Sequence, residues 1–219
     1  MNLKISKKDV VEWIIFLVVL FLIWSHVNVV VSDSMYPIMK RGDLVIVENA
    51  GFEFNPNDVD VGDIVVYKAH WPYYQYLLSE IDYKLNLNPY TTLYIFKEGD
   101  FKDMSVKVLG EIKTDKSSYK ILEADIPKSP TKPVIHRVID KVEFNNKTYF
   151  IIKGDNNPIH DPELVSINQI KQRVIVVDGH PLVIPYVGYL SIWLKEYWYL
   201  VVLFVLIYYA YNYLKGGRK

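Results

Sequence analysis

The chain has no cysteine among its 219 residues. That excludes a disulfide framework and any thiolate metal site, and it suits an extracytoplasmic domain without requiring one. Net charge is also absent, with 25 Lys and Arg against 25 Asp and Glu. The stretch Ser32 to Pro185 spans 154 residues and carries 18 Lys and Arg against 22 Asp and Glu, a net charge of −4. It therefore offers no electrostatic case for nucleic acid. No internal repeat or low-complexity tract is present.

What the chain does have is two long apolar runs. Trp13 to Ser32 is uncharged for 20 residues and Tyr197 to Leu214 for 18. A helix needs roughly 20 apolar residues to cross the hydrocarbon core, with about 17 near the lower limit. Lys4, Lys7 and Lys8 precede the first run, and Lys215, Arg218 and Lys219 follow the second. Cations resist translocation, so both termini are expected in the cytoplasm. The expected order is a cytoplasmic N-terminus (1–10), a transmembrane anchor (11–31) and an extracytoplasmic domain (32–185). An interfacial segment (186–196), a second membrane helix (197–214) and a cytoplasmic tail (215–219) complete a multi-pass protein of the cell membrane. A cleaved signal peptide is the rival for the first run, but Val29-Val30-Val31 offers no small-residue cleavage site. The second run is rich in tyrosine and tryptophan, which favour the membrane interface; its rival is an apolar helix docked on the soluble domain.

The stretch 32–185 is long enough for one domain with a core. Leu44–Val47 and Ile64–Tyr67 are β-branched runs, each preceded by Gly-Asp. Val134–Asp140 and Thr148–Lys153 flank Asn145-Asn146-Lys147 and read as a hairpin, and Val174–Val177 precedes an Asp178-Gly179 turn. The expected fold is therefore mostly β. From about 70 to 133 the character changes. Trp71, Tyr73, Tyr74 and Tyr76 cluster, then strand-like pieces such as Thr92–Phe96 follow. This reads as an insertion with strands of its own, a cap or partner-binding subdomain.

Serine becomes a nucleophile only when a base takes its proton and the base is itself supported. Ser34, in Ser34-Met35-Tyr36-Pro37, lies at the mouth of the first apolar run. Of the five histidines, His26 falls within the expected anchor and His136 lies in the apolar strand Val134–Ile139. Period-2 alternation sends His136 to the face opposite Ile135 and Arg137. On this strand alone, a structural histidine is the plainer interpretation. Asp155 and Asp161 bracket a loop, Asn156 to His160, and either carboxylate could support an imidazolium; one His with scattered carboxylates is a weak metal signal.

Taken in order, these segments resemble the type I signal peptidases of the archaeal and endoplasmic-reticulum branch. Ser32-Asp33-Ser34-Met35-Tyr36-Pro37 resembles that family's nucleophile box, and Arg41–Val45 and Gly62–Tyr67 its next two. His136–Ile139 resembles its base segment, Lys153–Asn157 with Asp161 its acidic box, and Pro185–Gly188 the motif after the last strand. The resemblance implies a signal-peptidase-like β-domain with an inserted subdomain, flanked by membrane helices. It implies Ser34 as nucleophile, His136 as general base and Asp161 as the third member. Asp155 becomes a supporting carboxylate or loop anchor, and Ser32 an oxyanion donor beside the Ser34 N–H. The implied activity is removal of signal peptides from secretory preproteins at the outer membrane face, after small residues, with no metal or organic cofactor. The implied partners are signal peptides, the lipid bilayer, and the translocation machinery or accessory subunits. The family's glycine between the two serines is Asp33 here, and the 70–133 insertion exceeds that of compact members. Lys132 and Lys141, candidates for a Ser-Lys pair, do not fall on the base position. A membrane-anchored β ectodomain that only binds a partner, and a Ser-His protease acting on pilin-like precursors, are the alternatives.

Overall fold

The computed structural model describes residues 6–88, 90–99, 106–128 and 130–216. Lys4, Arg218 and Lys219 lie outside them. Helix α1 is Lys7–Ser25, followed by β1 (Val27–Val29), β2 (Leu44–Asn49), β3 (Ile64–Ala69) and helix α2 (Trp71–Leu85). Then come β4 (Thr92–Gly99), β5 (Val106–Lys113), β6 (Ser118–Pro127), β7 (Lys132–Phe144), β8 (Lys147–Lys153) and β9 (Val165–Ser166). The chain continues through β10 (Ile170–Val174), β11 (Val176–Val177), β12 (His180–Pro181), β13 (Val183–Ile184), α3 (Tyr189–Glu196) and α4 (Trp198–Gly216).

The main sheet runs β1-β2-β10-β3-β7-β8-β9, with β13 also paired to β2, and every pairing is antiparallel. Its middle is covered on both faces. β3 turns Val65 and Tyr67 into one apolar cluster and Ile64 and Val66 into another, which is why its sequence is apolar without alternation. The β7–β8 hairpin closes as expected. Asn145 and Asn146 both take left-handed φ, 51° and 58°, which a two-residue turn between twisted strands requires.

Four segments depart from, or add to, the expected elements. The apolar run 11–31 is not one helix: α1 ends at Ser25, and Val27–Val29 joins β2 in the register Val27↔Ile46 to Val29↔Leu44. Backbone partners on a sheet edge outweigh continuation of the helix. Second, Val174–Val177 breaks at Ile175, whose N–H bonds Ile46 O while β11 leaves to pair with β12. Third, the insertion opens with a helix. Tyr74, Leu78 and Ile81 fall at i, i+4 and i+7 and bury one face of α2 on Tyr94, Leu122 and Ala124; the strand-prone aromatics disguise that helical spacing. Fourth, the 186–196 segment, for which no element was expected, contains α3.

The inserted sheet is ordered β4-β6-β5, with β4 parallel and β5 antiparallel to β6. Its other face shares a core with the main sheet, where Leu93, Ile112 and Ile121 pack with Val142, Ile151 and Leu164. The insertion is thus fused to β7–β8.

Helix α1 starts on a capping box, Ser6 with Asp9, and buries none of its residues. Among the described residues no single helix is long and apolar enough to cross a membrane. Helix α3 and the stretch Trp198–Asn212 reach that length and apolarity together, bent by 66° at the break.

Candidate active site

Ser34 lies in a tight turn between β1 and β2. Met35 and Met39 anchor the turn by burying in the cluster of Val45, Val47 and Val66. Its backbone is tied by Tyr36 N–H to Asp33 O at 3.1 Å and Met39 N–H to Met35 O at 3.1 Å. Asp33, where the resemblance places glycine, keeps a negative φ. Its Oδ1 accepts Arg41 N–H at 2.9 Å, so the aspartate braces the turn and needs no left-handed backbone.

Helix α3 supports the same turn from behind. Gly42 has φ +90°, and a Cβ there would meet the Tyr189 ring at 2.0 Å, so only glycine allows both the turn and the packing. Lys40 Nζ donates to Tyr186 Oη at 2.9 Å, and Arg41 pairs with Glu196 at 2.7 Å.

His136 is carried by β7 between β3 and β8, in register with Val65. It is 4% exposed and points, as alternation requires, to the side opposite Arg137. Its Nε2 lies 2.9 Å from Ser34 Oγ, and its Nδ1 lies 2.7 Å from Asp161 Oδ2. With Asp161 ionised, Nδ1–H donates to the carboxylate and Nε2 is left to accept the Ser34 proton. Ser32 Oγ is 3.1 Å from Ser34 Oγ.

The two aspartates separate cleanly. Asp161, 3% exposed, is the carboxylate behind the imidazole. Asp155 instead receives Arg137 Nε and Nη2, both at 2.8 Å, in a bidentate pair. It therefore anchors the loop that clamps the Ser34 turn, where Asn156 N–H donates to Ser34 O at 2.8 Å and Asn156 Nδ2 to Asp33 O at 3.1 Å.

The other candidates are placed elsewhere. His26 is not inside α1 but caps it, with Nε2 2.6 Å from Glu53 Oε1. His70 pairs with Glu163, His160 bridges the backbone carbonyls of Tyr90 and Asp161, and His180 sits in the β11–β12 hairpin. Lys141 Nζ is taken up by Val59 O and Asp60, and Lys132 is exposed at the start of β7. Among the described residues no group of three His, Asp or Glu side chains could hold a metal ion.

The sequence alone assigned no role to two residues at the site. A Cβ on Gly154 would lie 2.7 Å from Ser34 O and 2.9 Å from His136 Nε2. Tyr67, fully buried, donates its hydroxyl to Asp161 Oδ2 at 2.7 Å. A phenol closing an aliphatic strand was the available signal for Tyr67, and the Gly-Asp-Asn segment for Gly154.

A hydroxyl, an imidazole and a carboxylate in hydrogen-bonded series form the arrangement by which serine hydrolases activate their nucleophile. Comparison with known proteins narrows the class. No family model matches the chain. Three curated proteins named signal peptidase complex catalytic subunit SEC11 are similar to it. The one from Clavispora lusitaniae is 32% identical, over 80% of this chain and 69% of its own length. The Schizosaccharomyces pombe protein is 27% identical over 79% and 69%, and that of Candida tropicalis 26% over 78% and 67%. The chain belongs to the signal peptidase catalytic-subunit family, the endoplasmic-reticulum branch of the type I signal peptidases.

Proposed function

We propose that the protein is a membrane-bound serine endopeptidase that removes signal peptides from secretory preproteins, with Ser34 as nucleophile, His136 as general base and acid, and Asp161 as the orienting carboxylate. The observation that carries this reading is the Ser34 Oγ–His136 Nε2 contact of 2.9 Å backed by the His136 Nδ1–Asp161 contact of 2.7 Å. His136 takes the Ser34 proton as Oγ attacks the scissile carbonyl. The oxyanion is held by the Ser34 N–H and the Ser32 hydroxyl, a donor type whose loss typically costs about 100–1,000-fold in rate. His136 then gives the proton to the leaving amine, and water, activated by the same imidazole, releases the acyl group. The substrate backbone pairs with a strand edge, small pockets select small residues one and three before the cut, and no metal or organic cofactor takes part.

In this reading α1 anchors the chain with Ser34 near the outer face of the bilayer, α3 lies in the interface and α4 returns across it. Both termini are cytoplasmic and the β-domain is outside. The relatives are named as subunits of a complex, and accessory subunits are proposed here too.

Purified protein should cut a preprotein once, after a small residue, as read by N-terminal sequencing of the product. Ser34→Ala and His136→Ala should abolish the cut. Asp161→Asn should lower kcat by about 1,000-fold or more by analogy with other triads, whereas Asp155→Asn should chiefly lower stability. An unchanged rate in Ser34→Ala or His136→Ala would overturn the mechanism, and a wild-type protein that binds preproteins without cutting them would favour a binding ectodomain.

A further inference from the structure

The hydrogen-bonded series does not stop at Asp161. The same Oδ2 that receives His136 Nδ1 receives the Tyr67 hydroxyl, and Tyr67 Oη accepts Trp71 Nε1–H at 2.9 Å. Tyr67 lies within β3 and is inaccessible to solvent; Trp71 is the first residue of α2 and half-buried. The backbone around Asp161 is tied to the insertion as well. Tyr94 N–H, on β4, donates to Pro162 O at 2.8 Å, and Leu164 N–H donates to Tyr94 O at 3.0 Å. On the other side of Asp161, His160 Nε2 lies 2.8 Å from Tyr90 O.

The torsion that sets a carboxylate plane is broad and nearly two-fold. An aspartate held by one imidazole can rock; a second donor from a different direction fixes its plane. We propose that Tyr67 is a positioning residue for the proton relay, holding the Asp161 carboxylate in register with His136, and that the insertion acts on the site by holding Tyr67 through Trp71 and the Asp161 segment through Tyr94. The proposal rests on the Ser34–His136–Asp161 reading of the site. It gives the insertion, which lies between Tyr67 and His136 in sequence, a task in the reaction. Burial, and then the neighbouring Asp161 charge, push the Tyr67 phenol well above its ordinary range, so it remains a protonated donor at any working pH. The titratable groups facing this pair are His136 on β7 and Glu163 beyond it; His160 meets the Asp161 backbone carbonyl, and His70 at the head of α2 is paired with Glu163.

The test uses the full chain in detergent micelles, with two readouts: kcat and KM against pH on a preprotein, and the His136 pKa from imidazole NMR. Tyr67→Phe keeps the ring and removes the donor. kcat should fall about 10-fold, the scale of one hydrogen bond to a charged group, with KM nearly unchanged. The relieved carboxylate pulls harder on the imidazolium proton, so the His136 pKa and the acid limb of the rate profile should both rise. Trp71→Phe, which leaves the Tyr67–Asp161 bond in place, should move both in the same direction by less. A Tyr67→Phe protein that melts earlier but keeps the wild-type His136 pKa and kcat overturns the proposal. If Tyr67→Phe does not fold, an unmoved His136 pKa in Trp71→Phe overturns it. If wild type does not cut preproteins and the His136 pKa still moves in Tyr67→Phe, the positioning role stands and the peptidase reading falls.

Discussion

Gly154 is packed tightly against both Ser34 and His136. Its backbone passes between Ser34 O and His136 Nε2 with no room for a methyl group. Gly154→Ala must push the imidazole or the serine turn aside, and a displacement near 1 Å can cost about 100-fold in rate. The expected outcome is a folded protein with kcat reduced on that scale, checked by circular dichroism beside preprotein cleavage. At the same scale Asp33 departs from the family pattern without straining the turn. Its carboxylate supplies a hydrogen bond to Arg41 N–H that glycine could not, in a turn that asks nothing unusual of its φ.

At the scale of elements, β7 is the organising piece. His136 faces the Ser34 turn, its neighbour Arg137 faces away to hold Asp155, and one strand thereby positions both sides of the candidate site. The junction of β3 and α2 is the other. His70 Nδ1 lies 2.6 Å from Glu163 Oε1, and Glu163 Oε2 accepts the His70 N–H at 2.8 Å and the Trp71 N–H at 3.3 Å, so the buried carboxylate caps the start of α2. The hydrogen bond to Glu163 raises the His70 pKa against the opposing effect of burial. A raised folded value means that the stabilisation is complete below the unfolded pKa of about 6.5 and is lost as pH rises through the folded value. His70→Gln should therefore lower Tm more at pH 5.5 than at pH 9, measured by thermal denaturation of mutant and wild type at both values. An equal loss at the two pH values would show that the imidazolium adds nothing.

For the molecule as a whole, the outstanding feature is apolar surface without cover. Helix α1 buries no residue, and Trp13, Phe21 and Trp24 on it and Trp198, Phe204 and Tyr209 on α4 all stand exposed. Surface of this extent is unfavourable in water and is the reason for placing both helices in a bilayer. The absence of cysteine makes the proposed topology directly testable. In proteoliposomes or inverted vesicles of known orientation, Phe52→Cys, on the β-domain, should react with a membrane-impermeant maleimide from the outer side. Lys8→Cys, before the first run, should react only from the cytoplasmic side, and labelling of both from one side would overturn the arrangement.

Much of the site was legible in the chain. Ser34, His136 and Asp161 were singled out by the resemblance of their segments, in order, to a known family; on its strand alone His136 read as structural, and the choice between Asp155 and Asp161 stayed open. Strand alternation alone placed His136 opposite Arg137, and two consecutive asparagines marked the hairpin turn. Composition settled the absence of disulfides, and apolar runs with their basic flanks suggested the membrane topology. Other points were decided only by tertiary structure. Which aspartate lies behind His136 depends on where Arg137 captures Asp155. The end of α1 depends on β2 offering partners to Val27–Val29. The helix in the insertion depends on a sheet on which Tyr74, Leu78 and Ile81 can bury. The link from Trp71 through Tyr67 to Asp161 joins residues 94 positions apart between its last two members. The physical reason is common to all four: local sequence sets periodicity, turn chemistry and charge, whereas hydrogen-bond partners and buried neighbours come from segments that only folding brings together.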